Sequence, residues 1–135
     1  MDYNTTPPGG ETLQVDRPLF TIEVTVRQAG EVSVVEVAGP VTIGEGTETL
    51  RDTIRELVVR GRKHLLLDLS RVLYLDSSGI GELLASRTAV LNRSGQLKLL
   101  KPSRRVQDVL RITRIERGFE IFQDEAAALA SFAES

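Results

Sequence analysis

The chain has no cysteine among its 135 residues, so disulfides and thiol chemistry are excluded, and a reducing compartment suits it. It has one histidine, His64. Any Ser-His-Asp arrangement must use that residue, and a metal would find only oxygen ligands. No carboxylate cluster has calcium-loop spacing, and no Gly-x-x-x-x-Gly-Lys-Ser/Thr phosphate loop occurs. Aromatic residues are few: two tyrosines, four phenylalanines and no tryptophan offer little surface for stacking nucleic-acid bases. No apolar run approaches the roughly 20 residues that span a bilayer, and no basic-then-apolar leader opens the chain. The formal net charge of −2 gives no general pull toward nucleic acid. The expectation is a soluble, cytoplasmic protein with no metal, no cofactor and no nucleic-acid or membrane partner.

What is present is ordinary for one globular domain: 41% hydrophobic and 27% charged residues. Residues 1–18 read as a flexible tail, with Pro7, Pro8, Gly9, Gly10 and Pro18 among polar neighbours. The folded domain is expected over 19–135. Period-two alternation over 21–28, a turn at Gly30 and a second apolar run over 32–37 predict an opening β-hairpin. A helix is expected from Thr47 to Arg60, with Leu50, Ile54, Leu57 and Val58 inward and Gly61 at its C-terminus. The run His64-Leu65-Leu66-Leu67-Asp68-Leu69 predicts a buried central strand. A helix with Ile80, Leu83, Leu84 and Leu91 inward follows, then a strand over 96–101, a short helix to Ile112 and a final helix capped by Asp124. Tyr74, in an apolar run, is expected in the core. Strands alternating with helices after a hairpin predict an α/β domain with a small mixed sheet.

Asp76-Ser77-Ser78-Gly79 stands between the central strand and its helix. Asp and Ser are ordinary N-cap residues, so a cap is the first reading of this stretch. A helix N-terminus also favours negative charge, so a phosphate on a hydroxyl here would be stabilised locally. No Gly-x-Ser-x-Gly elbow surrounds either serine, and His64 lies at the far end of the preceding strand. Gly79-Ile80-Gly81 begins like a dinucleotide fingerprint, but Leu84 occupies the third glycine position.

The run from Asp68 to Gly81, Asp-Leu-Ser-Arg-Val-Leu-Tyr-Leu-Asp-Ser-Ser-Gly-Ile-Gly, resembles the signature of STAS domains. More narrowly, it resembles the bacterial anti-sigma factor antagonists, over about Thr21 to Phe132. The resemblance implies a STAS-like sheet with about four helices packed mainly on one face. It implies that Ser77 is the phosphoacceptor. The donor is ATP held by a serine kinase that is itself the anti-sigma factor, and a serine phosphatase resets the switch. The STAS protein itself is then no enzyme, and a monomer or weak dimer. Asp76, Ser77, Ser78, Gly79 and Ile80 would form the partner surface. Where the family commonly has an aspartate after Gly39, this chain has Thr42, and Glu45 in the same loop is the candidate replacement charge.

Two other readings stand beside this one: a STAS scaffold without a switch, in a signalling complex or a lipid-transport assembly, and a small nucleotide-binding α/β enzyme. The cluster Lys101, Arg104, Arg105, Arg111, Arg114 and Arg117 reads first as a solvated face that keeps the protein soluble. Its sharper alternative is a docking surface for an acidic partner.

Overall fold

Alternation of Val24 and Val26 with Thr25 and Arg27 carries β1 (Glu23–Ala29) in the computed structural model, which describes residues 21–133. Gly30, at a φ of 63°, turns the chain into β2 (Val32–Val41), which pairs antiparallel with β1. The expected hairpin is present. The proposed tail, residues 1–18, lies outside the described residues.

After β2 the chain alternates as its periodicity predicts: α1 (Glu45–Val59), β3 (His64–Leu75), α2 (Ser77–Leu91), β4 (Gln96–Leu100), α3 (Arg104–Ile112), a 3-10 turn (Ile115–Gly118), β5 (Ile121–Phe122) and α4 (Glu125–Ala133). The sheet order follows the sequence from β1 to β5, and every pairing after the first is parallel. This is the mixed α/β sheet expected, with four helices. Leu65, Leu67 and Leu69 of β3 point into a main core with Leu50 and Ile54 of α1, Leu83 and Val90 of α2, and Val106 and Leu110 of α3. Leu66 points the other way, joining Val32, Val34 and Leu100 beneath Ala128 and Phe132 of α4. Three helices thus cover one face and α4 covers part of the other. That division follows from the period-two alternation of a strand buried on both sides.

Four local expectations are corrected. β3 is twice as long as the apolar run, because Asp68 Oδ1 accepts from Ser70 N–H (3.0 Å) and Ser70 Oγ (2.7 Å) at an irregularity in the ladder. Pairing with β2 then resumes through Arg71, Val72 and Leu75. The bulge re-phases the strand. Val72 and Leu75 enter the core, while Leu73 and Tyr74 remain 37% and 39% exposed, so Tyr74 is not a core residue. On α2, Leu83 is buried but Leu84 and Leu91 are exposed; Glu82, Ser86 and Val90 take the inward positions. Glu82 is tolerated there because its carboxylate accepts from Arg51 Nε (3.1 Å) on α1 and from Ser86 Oγ (3.3 Å). α1 starts at Glu45, two residues earlier than its predicted start. Its other end meets expectation: Gly61, at a φ of 84°, lets Arg62 N–H reach Leu57 O at 2.9 Å.

The second, smaller core is built around a buried cation. Lys98, 3% exposed, donates to Ser131 Oγ at 2.9 Å and lies 4.6 Å from the Phe132 ring centroid. His64, at the start of β3 as expected, stacks on the same ring at 5.4 Å. Asp124 caps α4 through Ala127 N–H at 2.9 Å. Truncating Phe132 to alanine removes the centre of this contact set and is expected to cost about 3 kcal/mol in urea denaturation. A loss below about 1 kcal/mol would show that α4 is not part of the cooperative fold.

Candidate functional site

The carboxyl ends of β2 and β3 meet the amino ends of α1 and α2, and the sequence Asp76-Ser77-Ser78-Gly79 occupies that rim. Asp76, not either serine, is the N-cap of α2. Its Oδ1 accepts from Gly79 N–H at 2.8 Å and its Oδ2 accepts from Ile43 N–H at 2.9 Å. One carboxylate therefore holds the helix start and the β2–α1 loop together. The Ile43 and Gly79 amides hold its carboxyl below the usual carboxylate range.

Ser77 is the first residue of α2 and is exposed; Ser78 and Ile80 are half-buried, with Ile80 packed against the main core. Gly79 is buried, and a Cβ there would sit 2.1 Å from Val41 O. The close approach that Gly79 permits is therefore to its own strand β2, which corrects its expected role at a partner surface. Thr42 is half-buried, and its carbonyl accepts from Thr47 N–H at 3.0 Å. Glu45, the first residue of α1, is exposed. The structure thus brings the 42–45 loop and the serine turn to one rim, joined through Asp76. Sequence reasoning missed Ile43, whose N–H makes the bridge and whose side chain is 76% exposed. An isoleucine followed by Gly44 in a loop was the available signal.

This geometry does not activate Ser77 as a nucleophile. Both oxygens of Asp76 are occupied by backbone amides, and His64 stands at the opposite end of β3, against Phe132. Among the described residues, no group of three or more His, Cys, Asp or Glu could hold a metal ion, and no helix is long and apolar enough to cross a membrane. The site offers an exposed hydroxyl on a rigid, capped helix start that favours added negative charge.

The sequence model of the STAS domain matches residues 23–128. The chain belongs to the STAS domain family. Its sheet and helices superpose on an anti-sigma factor antagonist from Mycobacterium paratuberculosis with a TM-score of 0.72 at 24% identity, covering 84% of this chain and 95% of that one. A STAS domain protein from Planctomyces limnophilus gives 0.65 at 23% identity, over 79% and 96%. The Bacillus cell fate determinant SpoIIAA in its phosphorylated form gives 0.61 at 20% identity, over 78% and 96%. Its unphosphorylated form, described as an anti-sigma factor antagonist, gives 0.62 at 19%, over 81% and 96%. No curated protein matches the chain. At these identities the superpositions establish the STAS fold.

The Asp76 bridge has a pH signature. Asp76→Ala is expected to cost about 1 kcal/mol. The native carboxyl titrates below its unfolded value of about 3.9, so its contribution is complete above that pH and is lost as pH falls through the native pKa. The stability gap between wild type and variant, measured by urea denaturation, should be flat from about pH 7 to 5 and close below about pH 4. A gap that persists undiminished at about pH 2 would mean the ionised carboxylate is not what holds the rim.

Proposed function

We propose that this STAS domain is an anti-sigma factor antagonist switched by phosphorylation of Ser77. The observation that carries the reading is an exposed serine hydroxyl at the first position of a capped helix, within the family's signature sequence. In the unphosphorylated state the rim formed by Asp76, Ser77, Ser78 and Ile80, bordered by Thr42 and Glu45, binds a serine-kinase anti-sigma factor and frees a sigma factor. The kinase, holding ATP, transfers the γ-phosphoryl group to Ser77 Oγ, with loss of the hydroxyl proton and release of ADP. The phosphate adds about −1.5 to −2 charges beside the ionised Asp76 and obstructs the same surface. A serine phosphatase removes it. In this reading the base and the nucleotide come from the kinase, the chain has no turnover of its own, and the exchange takes place in the cytoplasm.

The helix start explains why the switch leaves the fold intact. Negative charge at the amino end of α2 is favourable, so the phosphate alters the surface and leaves the sheet beneath it unchanged. Thr42 can hydrogen-bond but carries no charge where the family commonly has an acid. Glu45, exposed at the start of α1 in the same loop, supplies the charged contact.

Incubation with the kinase-type partner and ATP, followed by phosphopeptide mass spectrometry, should place one phosphate on Ser77, and Ser77→Ala should abolish labelling while retaining the native circular dichroism spectrum. Labelling that stays in the Ser77→Ala variant and maps to Ser78 would reject this assignment of the acceptor.

A further inference from the structure

Lys101, Arg104 and Arg105 stand exposed where β4 leads into α3. Ser103 pins that corner to β3: its N–H donates to Leu69 O at 3.2 Å and its Oγ to Val72 O at 2.7 Å. Val72, whose carbonyl Ser103 engages, belongs to β3. Beyond it on the same strand, Leu73 and Tyr74 present apolar surface on the way to the Ser77 turn.

These cations lack counter-ions. None of the three makes an ion pair within 4 Å among the described residues. The one carboxylate of α3, Asp108, is taken by Arg111 at 2.8 Å. Arg104 and Arg105 also occupy the first turn of α3, the end at which the helix dipole disfavours cations, and no acidic residue shares that turn. Local electrostatics opposes this arrangement in the isolated chain. Such departures concentrate where a surface serves a partner.

We infer that this corner is a docking surface for an acidic segment of the protein partner, seated on Lys101, Arg104 and Arg105 and running past Tyr74 toward Ser77. The inference rests on the proposed partner switch and deepens it. A partner face acidic enough to pair with these cations is one that phosphorylated Ser77 repels at the same rim.

The test is calorimetric binding to the serine-kinase anti-sigma factor at low and high salt, for wild type, the neutral double variant Arg104→Gln/Arg105→Gln and the reversed double variant Arg104→Glu/Arg105→Glu. The reversal should weaken binding at least about tenfold (about 1.4 kcal/mol). The neutral variant should fall between, and the salt dependence of wild-type binding should flatten in both. Folding should survive, because the first turn of α3 accepts acidic side chains, and thermal melting checks this. Wild-type binding that the reversal leaves unchanged overturns the docking surface while the Ser77 switch stands. A wild-type chain that binds no such partner removes the switch and the docking surface together. Tighter, reversal-sensitive binding to a DNA duplex than to the protein partner overturns the acidic-protein assignment.

Discussion

The Asp76 carboxylate is the interaction on which the rim depends. One oxygen starts α2 and the other holds the β2–α1 loop, so two loops that follow different strands are fixed by a single side chain. Ser77 is presented outward because Asp76, and not a serine, serves as the cap. Gly79 completes the arrangement by letting α2 abut the end of β2 with no side chain between them. Removing charge from Asp76 or adding a Cβ to Gly79 disturbs the same joint from two sides.

Beneath the rim, the sheet provides a rigid base. Its central strand β3 is buried on both faces, by three helices on one side and α4 on the other. The parallel pairing of β3 with β2 and with β4 places successive helix starts along the same end of the sheet. An exposed acceptor on such a base can gain charge without the core repacking, which is what a reversible surface switch requires.

Residue pattern reported much of this. The Leu65-Leu66-Leu67 run is apolar on both faces, so the sequence marks a central strand, and Gly61 marks the end of α1. The serine turn was legible because its four residues are contiguous. Other features were hidden by contacts that cross the chain. Pairing of Glu82 with Arg51 makes an acidic residue inward, which no hydrophobic period reveals. A bulge at Ser70 re-phases β3 and leaves Tyr74 outside. Ile43 reaches Asp76 through a backbone N–H, which side-chain identity does not encode. The basic segment looked like one solvated face from 101 to 117. Folding divides it, pairing Arg111 with Asp108 and leaving Lys101, Arg104 and Arg105 without an ion pair among the described residues at the corner that Ser103 pins to β3.

The central claim is that charge on Ser77 decides whether the rim accepts its partner. Isothermal calorimetry of the serine-kinase anti-sigma factor with the chain carrying phosphate at Ser77, and with the same chain after phosphatase treatment, addresses it most directly. The account predicts affinity at least about tenfold weaker for the phosphorylated form, restored in full by dephosphorylation. Equal affinity of the two forms would contradict it.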